Sequence, residues 1–147
     1  MTGDARNLEQ IITAVIDCGF SIHDRLGPGM LESSYEVLLE ALLAKRGLRV
    51  QRQKPISLKF DEITINDAYR VDMLVEDMLI IELKSVDQLV PLHSKQLLTY
   101  LRATGLPVGL LMNFGGVLFK TGVKRVLNNR SDYVAPISTA PWHKPSA

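Results

Sequence analysis

Two acidic residues and a lysine carry the most specific chemical signal in the chain: Asp72 in "YRVDMLV", and Glu82 with Lys84 in "MLIIELKSV". Side chains on a strand alternate with a period of two, so Glu82 and Lys84 leave one face together while Leu83 takes the other. The polar residues Glu76 and Asp77 separate two apolar runs of strand type, which predicts a hairpin. If its turn centres on Asp77, residue 75 faces 79 and residue 72 faces 82, and the Asp72 and Glu82 carboxylates stand side by side. A turn centred between 76 and 77 sends them to opposite faces, because a one-residue slip inverts a strand. The chemistry therefore requires a three-residue turn or a bulge. With that register Asp72, Glu82 and Lys84 share a face with Leu74 and Ile80. Val71, Met73, Val75, Leu79, Ile81 and Leu83 then line the other face.

Two carboxylates abutting on a largely apolar sheet repel each other and are costly to desolvate, so a cation, a proton or a hydrogen-bond donor must compensate. A divalent metal does this best. Hard oxygen donors from Asp72 and Glu82, with a neighbouring carbonyl expected from Leu83, suit magnesium, which keeps several of its waters. Lys84 beside such a water can orient it or stabilise charge developing on phosphorus, which is the chemistry of phosphodiester hydrolysis. The plainer reading makes Glu82 and Lys84 a surface salt bridge and bonds Asp72 to Arg70 or a backbone amide; motifs as short as "ELK" recur by chance. Asp72 at hairpin distance shifts the balance toward a site, and two further features add to it. In "GPGMLESSY", Glu32 falls in the first turn of a helix, where it also answers the helix dipole, and Tyr35 lies near that helix's apolar stripe. In "KQLLTYL", Gln96 and Tyr100 face the same way one turn apart; both donate hydrogen bonds and can hold a phosphate or the scissile strand.

The elements that must position these groups are legible from periodicity. Leu8, Ile11, Ile12, Val15, Ile16 and Gly19 fall at helical spacing in a stretch that runs to about Leu26, where "GPG" stops it. A second helix follows through "MLESSYEVLLEALLAKRG", with Leu31, Tyr35, Leu38 and Leu42 on one stripe and Gly47 at its end. "LRVQRQ", "PISLKF", "AYRVDMLV" and "MLIIELKS" read as short strands of an antiparallel meander. "LHSKQLLTYLRATG" is a third helix, "LPVGLLMNF" a buried strand, and "GVLFKTGVKRVL" a turn and a final strand or two. The expected fold class is α/β with α+β character: a mixed sheet with helices on its faces.

Composition sets wide bounds. The 147 residues, 46% of them hydrophobic, suit one domain over residues 1–130, with a proline-rich, loosely ordered tail at 131–147. A net charge of +1 announces no global field for nucleic acid, so any basic surface is local, as in the five basic residues between Lys45 and Lys54. The single cysteine, Cys18, excludes an intrachain disulfide and reads as a small core residue. No apolar run approaches the roughly 18 residues of a membrane span, so a soluble cytoplasmic protein is expected, with no membrane partner. His23, at the end of the first helix, is expected to be a half-buried helix residue, with approach to the metal site as the alternative; His93 and Lys95 are expected to be solvated charge, with phosphate contact as the alternative.

Taken together, the motifs resemble a known pattern. Gly29, Glu32 and Tyr35 match the Gly-x-x-Glu-x-x-Tyr signature of the GxxExxY protein family, and Asp72 with Glu82-Leu83-Lys84 resembles the core of the PD-(D/E)XK nuclease superfamily, in which that family is placed. The resemblance covers about Ile11 to Leu127. It implies a restriction-endonuclease-like core with a mixed four-stranded central sheet flanked by helices, and magnesium or manganese as cofactor. Asp72 and Glu82 would be metal ligands, Lys84 the catalytic lysine, and Glu32 a helix-borne acid beside the metal. Gln96 and Tyr100 are similar to the Gln-x-x-x-Tyr motif of the RecB-like branches, which assists catalysis or substrate placement. Val71 stands where the superfamily name has proline. The implied function is metal-dependent phosphodiester hydrolysis by a metal-activated water, with DNA as the nucleic-acid partner and a homodimer allowed for. The alternative is a catalytically inactive module of the same fold, acting by binding within a nucleic-acid or defence system.

Overall fold

The computed structural model describes residues 7–128; the expected tail lies outside them. Helix α1, Leu8–Leu26, begins where Asn7 and Gln10 cap each other: Asn7 Oδ1 accepts the Gln10 amide at 2.8 Å, and Gln10 Oε1 accepts the Asn7 amide at 3.1 Å. It ends at Gly27, whose φ of 76° suits a residue without Cβ. Helix α2, Glu32–Lys45, follows directly. Then come β1 (Val50–Phe60), β2 (Ile63–Val75), β3 (Leu79–Lys84), α3 (Pro91–Thr104), β4 (Val108–Asn113), a short 3-10 turn at Lys120–Gly122 and β5 (Val123–Leu127).

The five strands form one mixed sheet in the order β1-β2-β3-β4-β5. β1, β2 and β3 are an antiparallel meander; α3 carries the chain across so that β4 runs parallel to β3, and β5 returns antiparallel. Helices α1 and α2 cover one face through Ile11, Ile12, Val15, Leu39 and Leu43 against Met73, Val75, Ile81, Leu110 and Met112. Leu97 and Leu101 of α3 cover the other against Leu74, Ile80 and Leu111. β3 and β4 are thus buried on both faces, which is why their sequences read as unbroken apolar runs. Among the described residues no helix is long and apolar enough to cross a membrane.

Three expectations need correction. "LRVQRQ" and "PISLKF" are one strand, because β1 lies at the sheet edge and Pro55 can face its missing N–H to solvent. The buried stripe of α2 is Tyr35, Leu39 and Leu43 with Glu36 beside it; Leu31 is exposed, and Leu38 and Leu42 only flank the core. Val71 does not share a face with Met73. It packs with Leu74 and Ile80 beneath α3; the β1–β2 ladder skips the Gln53–Asp72 pair between Arg52–Met73 and Lys54–Val71, where Gln53 has a φ of 51°.

Tyr35 ties the glycine turn to the core. Its hydroxyl donates to the Gly27 carbonyl and accepts the Met30 amide at 3.1 Å, while its ring stacks on Phe114 with centroids 4.4 Å apart. The residue is fully buried. Tyr35→Phe keeps the stack and removes both bonds, so the free energy of unfolding in urea should fall by roughly 1–2 kcal/mol with the far-ultraviolet spectrum unchanged.

Candidate active site at the parting of two strands

The phase of the β2–β3 hairpin decides where the carboxylates point. Its pairs are Val75–Leu79, Leu74–Ile80 and Met73–Ile81, which leaves the three residues Glu76, Asp77 and Met78 as the connection. Glu76 and Asp77 have φ of 53° and 56°, and the Met78 amide bonds to the Val75 carbonyl at 3.0 Å, the pattern of a type I′ turn with one added residue. Arg49 clamps the turn. Its amide donates to Glu76 Oε2 at 2.6 Å, and its guanidinium reaches Asp77 at 3.2 Å. The odd-numbered connection brings Asp72 and Glu82 into phase.

The last ladder pair between the strands is Met73–Ile81. Beyond it the side chains take over. The Asp72 amide donates to Glu82 Oε2 at 3.1 Å, and the Leu83 amide donates to Asp72 Oδ2 at 2.8 Å. Each carboxylate thus satisfies a backbone donor that the parting strands leave without a carbonyl. β3 itself continues beside β4 to the Lys84–Asn113 pair. The chain after Lys84 is held in place: the Phe114 amide bonds to the Lys84 carbonyl at 2.8 Å, and the Asn113 side chain accepts the Val86 amide at 3.0 Å and donates to the Val86 carbonyl at 2.9 Å. Gly115 packs so closely there that a Cβ would fall 2.5 Å from Val86 backbone atoms.

Burial and proximity raise the proton affinity of both acids. Burial pushes the Glu82 carboxyl up to about 8, with the Asp72 charge adding to it and the Asp72 amide and Lys84 opposing it. Asp72 is also raised, first by burial; the Leu83 amide opposes this, the Glu36 charge reinforces it, and Lys84 and Glu32 act more weakly with opposite signs. The Tyr100 hydroxyl is raised by burial and then by the charges of Glu82 and Asp72, so the third helix brings it into the same field. Tyr100 stacks on Tyr69 of β2 with centroids 4.4 Å apart. Gln96 is exposed one turn earlier on α3.

Glu32 is exposed at the start of α2, and its Oε2 accepts the Ser85 amide at 3.2 Å, just past the end of β3. Its charge is felt at Asp72, yet among the described residues no group of three or more acidic, histidine or cysteine side chains surrounds a common point. The protein carboxylates at the centre are two. Asp72 Oδ2 and Glu82 Oε2 are taken by amides, and Asp72 Oδ1 lies 3.5 Å from Gln53 Nε2. Two hard carboxylate oxygen donors suit a hard divalent cation.

His23 is buried rather than half-buried, with Nε2 2.9 Å from the Gly116 carbonyl and its ring beside Phe119. His93 Nδ1 accepts the Val90 amide at the start of α3. Much of the basic run Lys45–Lys54 is engaged internally: Arg46 with Asp17, Arg49 with Glu76 and Asp77, and Arg52 with Glu36 and Glu40. Sequence reasoning missed Glu36, Arg52 and Gln53, a polar cluster next to Asp72 in which Glu36 is buried, Arg52 half-buried and Gln53 exposed. The one available signal was the position of Glu36, a helical turn after Glu32 and next to Tyr35 on the face that turns inward.

A helix-flanked mixed sheet whose central strands part to present two acids and a lysine defines a nuclease-type domain. The chain belongs to the PD-(D/E)XK nuclease superfamily, whose family model matches residues 9–126 and so spans every candidate site residue. Members of that superfamily generally use divalent metal ions. No curated protein and no solved structure matches the chain.

With metal chelated, the raised Glu82 gives a stability signature. The folded chain holds a proton between its pKa of about 8 and the ordinary 4.5 that the unfolded chain has released. Stability should therefore fall as pH rises through that window, by an amount on the order of 5 kcal/mol at most, and level off above it. Urea titrations from pH 4.5 to 9 in chelator should show this slope in wild type and a much flatter profile in Glu82→Gln.

Proposed function

We propose that the chain is a magnesium- or manganese-dependent nuclease that hydrolyses phosphodiester bonds in DNA, of the GxxExxY type. The observation that carries this reading is the reciprocal pair of carboxylate–amide bonds between Asp72 and the Glu82–Leu83 segment, which holds two acids together where only a cation or a proton makes them compatible. A divalent ion bound there would neutralise the acids, polarise a phosphoryl oxygen and acidify its water. Asp72, Glu82 and the Leu83 carbonyl are its proposed protein ligands, with Glu32 on the rim, bonded to the Ser85 amide and reaching the ion through water.

Lys84 supplies the positive charge. It sits two residues beyond Glu82 on the same strand, and its field acts on both acids. In the reaction it orients the attacking water and stabilises the charge that accumulates on the phosphoryl oxygens. Tyr100, against the acids, and Gln96, exposed one turn away, donate hydrogen bonds to phosphate and fix the scissile strand. Tyr35 takes no part in the chemistry; it holds the glycine turn that delivers Glu32.

The test is cleavage of single- and double-stranded DNA and RNA by purified protein with magnesium, manganese or chelator. Metal-dependent cleavage of DNA is expected. Glu82→Ala should lose both ion binding and cleavage. Lys84→Ala should still bind manganese while its cleavage rate drops by a factor on the order of 100 or more. A wild-type chain that takes up neither ion and leaves all four substrates intact is the inactive binding module instead.

A further inference from the structure

Gln53 occupies an unusual place. It lies in the middle of β1, yet its φ is 51°, a left-handed conformation that costs a residue with a Cβ on the order of 1 kcal/mol and needs a compensating reason. The β1–β2 ladder registers Arg52 with Met73 and Lys54 with Val71, and Gln53 stands opposite Asp72 between those pairs. Its Nε2 lies 2.9 and 3.2 Å from the two oxygens of Glu36 and 3.5 Å from Asp72 Oδ1. Glu36 is itself anchored. It is 4% exposed and takes Arg52 Nε at 2.9 Å, while the far side of that guanidinium reaches Glu40 at 3.5 Å.

We propose that Gln53, held by Glu36 and Arg52, is a positioning residue that sets the Asp72 carboxylate for ion binding. The proposal rests on the reading of Asp72 and Glu82 as the ion site. A carboxamide NH2 has two hydrogens, and these face two carboxylates that would otherwise confront each other. Glu36 fixes the position of the amide nitrogen of the exposed Gln53, which keeps that donor 3.5 Å from Asp72 Oδ1. The Leu83 amide holds the other Asp72 oxygen. The carboxylate is therefore restrained at both oxygens, firmly at Oδ2 and loosely at Oδ1, and the loosely held oxygen is the one an ion can claim at little cost. Partners of this kind orient a ligand before the ion arrives, and their loss lowers ion affinity about 10–100-fold.

A brace that merely joined α2 to β1 would affect stability alone, so the test separates the two. Gln53→Met keeps length and shape without a donor; Gln53→Gly relieves the left-handed backbone without a side chain. Manganese binding to the chelator-stripped full chain is measured from the free Mn2+ signal in electron paramagnetic resonance, alongside urea unfolding. Both variants should bind manganese at least 10-fold more weakly than wild type, and Gln53→Gly should do so with an unfolding midpoint close to wild type. Wild-type affinity in either folded variant overturns the role of Gln53 and leaves the ion site standing. Absence of manganese binding by wild type removes the ion site, and the inference with it.

Discussion

Everything at the centre of this protein depends on the point where β2 and β3 stop sharing backbone hydrogen bonds. A sheet that parts leaves amides without carbonyls, and here the Asp72 and Glu82 side chains answer the amides of Leu83 and Asp72. The arrangement has two consequences at once. It satisfies donors that would otherwise be buried and unpaired, and it confines two like charges within one small volume. The fold gains order there, and the same bonds hold two groups whose charges are mutually unfavourable, so their proton affinity is raised.

The surrounding elements supply what such a site needs. β3, buried on both faces and paired with β4 along its far side, is a rigid base for Glu82 and Lys84. Asn113 and Gly115 lock the chain that leaves it, so Lys84 is held at both ends. From one face α2 brings Glu32 to the Ser85 amide and Glu36 to Gln53; from the other α3 brings Tyr100 into the field of the acids. Two helices on opposite sides of the sheet therefore converge on one strand end, as ligand sites in sheet proteins of this kind commonly do.

Polar groups around the acids are graded by burial. Glu36 is enclosed and carries its own arginine, a form in which a buried charge is tolerable. Glu82 is nearly as enclosed, with Lys84 acting on it through its field, and its proton affinity rises accordingly. Of the two buried glutamates, the one without a close ion-pair partner is the one whose proton affinity is raised.

Much of this was readable from the chain. The alternation of Glu82, Leu83 and Lys84, the distance back to Asp72, and the turn residues between them led to the right hairpin phase because side-chain period and loop length are local properties. The ends of the first and third helices followed from Gly27 and Gly105 for the same reason. Local pattern was insufficient wherever two distant segments had to meet. Nothing in "VQRQK" shows that Gln53 turns left-handed to lie between Glu36 and Asp72, or that Arg52 is consumed by a helix 16 residues earlier. The face taken by Val71 likewise depends on a distortion that only the packed sheet imposes. By itself the sequence determined which residues could do chemistry and the phase in which one hairpin presents them. The tertiary structure alone decided which charges are neutralised within the protein, because that depends on contacts between elements far apart in the chain.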